Sequence, residues 1–226
     1  MTAEDRAALA GFDGTVRLFP LPNLVLFPNV VQGLHVFEPR YRQLAADALE
    51  GNQLIALVLL KEGWDEDYDR RPPIADVACI GRISQHERMP DGRYNLRLRG
   101  LSRVRLVAER ETDKKYRVAD GTLLEDEAPT ELTALAELRR GLADAVLPRF
   151  DPGGPAHKHL AELFAGEMPL GHLCDVLAYA LPVPVEFKQT LLGEPNVEAR
   201  VHAMARALAV PTPAAGRRFP PDFSTN

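Results

Sequence analysis

Apolar and polar positions follow two different periods along this chain, and the period changes near residue 125. Residues 16–21 form a short apolar run interrupted by Pro20, which reads as an edge or bent strand because proline has no N–H for a ladder. Residues 24–27 and 30–36 are further strand candidates, parted by the turn-like Pro28-Asn29 pair. Residues 54–60 are apolar without a break, the pattern of a buried central strand. Residues 77–87 and 94–98 flank Pro90-Asp91-Gly92 and predict a hairpin. In its second arm Tyr94, Leu96 and Leu98 alternate with Asn95, Arg97 and Arg99, as one buried face requires. Gly100 predicts a bulge or bend before a neighbouring strand at 103–108, and residues 116–124 are the last strand candidate.

Helical spacing enters once inside this half. Pro39 suits a first helical turn, and Tyr41, Leu44, Ala45, Ala48 and Leu49 then share one face, with Gly51 placed to end the helix. Beyond Pro129 the helical period takes over. Leu132, Leu135, Leu138, Leu142 and Val146 mark a long helix, and shorter ones are predicted over 156–165, 169–181, 185–192 and 197–209. Residues 211–226 hold four prolines and little periodicity and read as a flexible tail, with Phe219 and Phe223 as a candidate docking pair. The organisation predicted is an N-terminal extension (1–15), a β-domain with one helix (16–125), a helical subdomain (126–210) and the tail (211–226). Residues 125–129 would be a hinge, and the fold class is α+β.

Composition changes this picture little: 46% hydrophobic and 26% charged residues over 226 positions are enough to bury a core without staples. No apolar run approaches the roughly 18 residues of a membrane helix. The polar, acidic N-terminus and the two cysteines, Cys79 and Cys174, fit a cytoplasmic protein better than a secreted one. Charge is more informative. Residues 82–117 carry eleven Lys/Arg against five Asp/Glu, within a chain whose net charge is −5.

Certain runs are distinctive as words. They are Leu21-Pro22-Asn23-Leu24-Val25-Leu26-Phe27-Pro28 and Phe37-Glu38-Pro39-Arg40-Tyr41-Arg42, then Ile80-Gly81-Arg82-Ile83, the Pro90-Asp91-Gly92 turn and Arg99-Gly100-Leu101-Ser102-Arg103-Val104. Their order and spacing over 16–208 resemble the N-terminal, substrate-binding domain of Lon proteases. The resemblance implies a PUA-like β pseudo-barrel followed by an α-helical bundle. It also implies a role in holding unfolded or extended polypeptide, with a separate protease or chaperone as a candidate associate. The catalytic signatures of full Lon proteases are not in this sequence. There is no Gly-Lys pair, hence no Walker phosphate loop, and the serines are only Ser84, Ser102 and Ser224, none with a lysine placed to activate it. The expectation is a standalone, non-catalytic binding module with no cofactor and no metal.

Candidate contact residues follow. Phe37 and Tyr41, with Phe27 and Pro28, either line an apolar cleft or close the barrel. Arg40, Gln43 and Asp47 share the polar face of the first predicted helix. Trp64, in the acidic run Gly63-Trp64-Asp65-Glu66-Asp67, is either a contact residue or a packing one. Peptide binding is expected through Phe37, Arg40, Tyr41, Gln43 and Trp64, on surface between the β-domain and the helices. The rival reading is an RNA-binding face built from Arg93, Arg97, Arg99, Arg103 and Arg105, although aromatics for base stacking are scarce there. His157-Lys158-His159 and His172-Leu173-Cys174 have two-residue spacing, which does not converge on a metal from a helix.

Overall fold

The computed structural model describes residues 2–67 and 71–209. Helix α1 (Ala3–Ala10) leads into β1 (Thr15–Leu21), β2 (Val31–Val36), α2 (Pro39–Glu50), β3 (Leu54–Leu59), β4 (Val77–Arg88), β5 (Tyr94–Arg110) and β6 (Val118–Leu124). Five helices follow: α3 (Leu132–Val146), α4 (Pro155–Ala165), α5 (Leu170–Ala180), α6 (Val185–Gly193) and α7 (Val197–Ala209). The expectations for 211–226 lie outside the described residues.

The sheet order is β2-β5-β4-β3-β1-β6, and β6 also pairs with β5, so five strands close a ring and β2 is left as a flank on β5. Strand β5 makes this possible by its length. Its first half, through Arg99, pairs with β2, and its second half, from Arg103, pairs with β6. The bend falls at Gly100, where an added Cβ would strike the Phe27 carbonyl. Residues 103–108 are therefore not a neighbouring strand, because the glycine turns β5 without ending it. Residues 24–27 are not a strand either. Val25, Leu26 and Phe27 are buried, but between Pro22 and Pro28 the segment runs without ladder partners and packs under the bend. Bonds from Asn29 N to Gly100 O (2.9 Å) and from Gly100 N to Val30 O (2.8 Å) hold it there.

Inside the ring the alternation of β5 places Tyr94, Leu96 and Leu98 in the core and leaves Asn95 and Arg97 outside. All six residues of β3 are buried, as befits a strand held between antiparallel β4 and parallel β1. Helix α2 starts on Pro39 and packs Tyr41, Leu44, Ala45 and Ala48 inward. Residues 1–15 carry a helix the sequence pattern did not announce. Thr2 and Asp5 form a reciprocal cap at its start, and the fully buried Asp5 carboxylate accepts from Arg82 Nε at 2.9 Å.

The helical half is tied to the barrel by polar groups. Glu127 pairs with Asn196, through bonds from Glu127 N to Pro195 O (2.9 Å) and from Val197 N to Glu127 O (3.0 Å). Residues 125–129 are thus stitched down and do not form a free hinge. Beside them lies a buried charge cluster. Arg103 binds Asp175 through both terminal nitrogens (2.5 and 3.2 Å) and Asp126 at 2.9 Å, while its Nε donates to the Leu192 carbonyl at 3.0 Å. Arg200 reaches the same two carboxylates, each at 2.5 Å. Gly171 of α5 lies against the cluster, and a Cβ there would collide with Asp126.

Candidate functional site

Strand β2 is the one strand among the described residues with a partner on one side only. The bond from Gly100 N to Val30 O fixes the phase of the β2–β5 ladder. In an antiparallel pair that phase puts Gln32, Leu34 and Val36 in hydrogen-bonded pairs with β5 and turns the backbones of Val31, Gly33 and His35 toward the open edge. Of those outward groups, the Gly33 carbonyl accepts from the Gln32 side chain at 2.6 Å, and Gln32 in turn accepts from the Tyr179 hydroxyl at 2.5 Å. Gly33 and His35, but not Val31, also line a shallow apolar cleft formed with Phe19 and Leu21 of β1, Leu34 and Val36 of β2, Phe37, and Tyr41 of α2.

The walls of this cleft are set locally. Pro39 forces the chain out of β2 into α2 within three residues, which leaves Phe37 at the corner, 42% exposed. Phe37 stacks on His35, with ring centroids 6.1 Å apart. His35 is held by a row across three strands. Arg93 Nη1 approaches Nε2 at 3.4 Å and can only donate, so Nε2 accepts and Nδ1–H donates to Asn95 Oδ1 at 2.8 Å. Asn95 Nδ2 then donates to Glu87 at 3.2 Å. Tyr41 is buried, packs on Phe19 at 4.2 Å between centroids, and carries the Arg40 guanidinium over its outer face at 4.8 Å. Arg40 also pairs with Glu38 at 2.8 Å.

On the far side of Tyr41 lies a second recess, lined by basic residues of the β5–β6 connection. Gln43 Oε1 accepts from the Lys115 backbone N–H at 2.9 Å and so pins that connection to α2. Lys114 pairs with Asp47 at 3.0 Å, and the Tyr116 hydroxyl donates to the same carboxylate at 2.8 Å. Burial, reinforced by this bond, pushes the Tyr116 phenol up to about 12. Burial alone would raise Asp47, but Lys114 and Tyr116 outweigh it and hold the carboxyl below its ordinary value. Arg117 grips Glu109 with two bonds (2.8 and 2.5 Å) and lowers its pKa, against an opposing contribution from burial.

The structure places Phe37 and Tyr41 on the cleft, Arg40 beside Tyr41 in the basic recess, and Gln43 on the adjoining face of α2. Trp64 opens a single 3₁₀ turn, Trp64–Asp67, and is half-buried. The arginine face is dispersed. Arg93 pairs with Asp91 at 2.6 Å, Arg99 lies 4.0 Å from Asp5, and Arg103 is 2% exposed inside the charge cluster. Of these arginines, Arg97 and Arg105 alone keep their side chains outward with no ion pair among the described residues. What the sequence did not point to is the open edge of β2 and the recess beside it. Its one available signal was the crowding of Lys114, Lys115 and Arg117 at the end of the basic stretch.

Burial pushes both cysteine thiols up, Cys174 to about 12, away from any thiolate at neutral pH. Ser84 and Ser102 donate their hydroxyls to backbone carbonyls at 3.0 and 3.1 Å.

Comparison with known proteins adds the following. The family model described as the ATP-dependent protease La (LON) substrate-binding domain matches residues 15–209. Lon protease 4 of Sorangium cellulosum is 34% identical over 194 residues, which are 85% of this chain and 23% of that protein. Lon protease 2 of Myxococcus xanthus is 30% identical over 84% of this chain and 23% of its own length. The chain therefore spans about a quarter of these relatives. Among solved structures, a Lon N-terminal domain protein from Xanthomonas campestris superposes with a TM-score of 0.59 at 27% identity, over 86% of this chain and 97% of that one. The N-terminal domain of the Mycobacterium avium complex Lon protease shares the fold, with a TM-score of 0.66 at 18% identity and coverage of 86% and 98%.

Proposed function

The chain belongs to the family of Lon substrate-binding domains, and from that membership and the cleft beside β2 we propose that it is a non-catalytic module that binds extended polypeptide by adding it as a strand to the open edge. The observation that carries this reading is that the edge turned outward at Val31, Gly33 and His35 runs, at Gly33 and His35, into an apolar cleft rimmed by Phe37 and Tyr41. Main-chain bonds along such an edge supply affinity for any extended sequence, and pockets beside it select side chains. This is the division of labour that a receptor for many unfolded clients needs. Phe37 would be the anchor and Tyr41 the floor, with Arg40 and Gln43 as polar contacts on the adjoining surface of α2.

Two substitutions test it by fluorescence anisotropy with a labelled, unfolded polypeptide. Phe37→Ala removes the exposed anchor and is expected to weaken binding about tenfold or more, since truncating an aromatic hot spot costs about 2 kcal/mol. Gly33→Pro removes an N–H that β5 does not use and blocks the edge, as proline is tolerated where a strand faces solvent. Both variants should keep the wild-type circular dichroism spectrum. Wild-type affinity in both would refute the edge-addition reading.

A further inference from the structure

The basic recess behind Tyr41 shares a wall with the cleft, because Tyr41 borders both and its neighbour Arg40 lines the recess. It encloses about 190 Å³, room for a carboxylate and several waters at ~30 Å³ each. Five cations line it: Arg40, Arg71, Lys114, Lys115 and Arg117. Three are neutralised within the chain, by Glu38, Asp47 and Glu109. Arg71 influences Glu109 only through space, while Glu109 itself is gripped by Arg117. Among the described residues the Lys115 ammonium has no carboxylate within ion-pair distance. Among the described residues two positive charges are therefore in excess in the recess, and the Gln43 bond to the Lys115 backbone holds it against α2.

We propose that this recess receives the carboxylate of an aspartate or glutamate in the bound polypeptide, so that the module prefers extended segments in which an acidic residue flanks the apolar residue in the cleft. The inference rests on the reading of the cleft as a polypeptide site and adds a sequence preference to it. Charge complementarity is the argument. A partly walled pair of unneutralised cations favours an anion and disfavours a lysine or arginine at the same place, and a carboxylate tethered beside the occupied cleft arrives at high effective concentration. Arg71 and Lys115 would be the residues that read the charge.

The test uses the full chain and three capped, labelled peptides with the same apolar centre. One is flanked by glutamines, one has two glutamates at its N-terminal end, and one has them at its C-terminal end. At about 50 mM salt, where screening is weak, one glutamate peptide should bind roughly fivefold to tenfold tighter than the glutamine peptide. The Arg71→Gln/Lys115→Gln variant should lose that advantage and keep its affinity for the glutamine peptide. No advantage for either glutamate peptide, or an advantage that survives in the variant, overturns the recess proposal while leaving the cleft reading intact. Failure of the glutamine peptide to bind the wild type overturns the cleft reading and the recess proposal together.

Discussion

Asp175 accepts hydrogen bonds from Arg103 and Arg200 at once, with an exposure of 1%, and no water can replace either donor. Removing Asp175 leaves two buried arginines to share the single carboxylate of Asp126, with one positive charge uncompensated in the interior. The cost is about 3–5 kcal/mol, far above that of breaking a surface pair. Asp175→Ala should therefore lower Tm by roughly 6–20 °C at two to four degrees per kcal/mol. Arg105→Gln, on the exposed part of β5, should change stability by no more than about 0.5 kcal/mol. Thermal unfolding followed by circular dichroism separates the two, and equal shifts would contradict the role given to the cluster. The sequence places Arg103 and Arg105 in one stripe because strand period is all it reveals about them. What distinguishes them is Asp175, 72 residues further on. The position of Phe37 and Tyr41 at the start of α2 is more local, since Pro39 lies within two residues of each.

At the scale of elements, α1 and β2 show what local pattern conveys and what it hides. Helix α1 has a weak apolar face, so periodicity gives it little signal; it is held by Asp5, which accepts from Thr2 and from Arg82. Burial by itself would raise the Asp5 carboxyl, but the Thr2 and Arg82 bonds prevail and the pKa falls below its ordinary value. A depressed carboxyl stabilises the fold above its unfolded value of about 4 and loses that contribution as pH falls through the folded value. The Tm difference between wild type and Asp5→Asn should be present at pH 7 and close as the pH is lowered below about 4. A difference independent of pH would show that Asp5 acts by shape and not by charge. Strand β2, by contrast, was legible as a strand but not as an edge. Its open side depends on which strand β5 meets after the bend at Gly100, a matter of topology that a period of two does not encode.

Across the whole molecule, the closed ring of five strands gives a rigid support, and the buried charge cluster fastens the helices to it. The sequence-level picture of binding at a hinge between two halves gives way to a different arrangement. The junction is filled by Arg103, Asp126, Asp175 and Arg200, and the open apolar surface lies along β2 on the barrel. No helix among the described residues is long and apolar enough to cross a membrane. Addition of polypeptide to the β2 edge is read out by amide hydrogen exchange resolved to single residues. The outward N–H groups of Val31, Gly33 and His35 should exchange quickly in the free protein, faster than those of Gln32, Leu34 and Val36, and become protected when an unfolded polypeptide is bound. Protection that appears on the helical half and leaves these three amides unchanged would contradict the account.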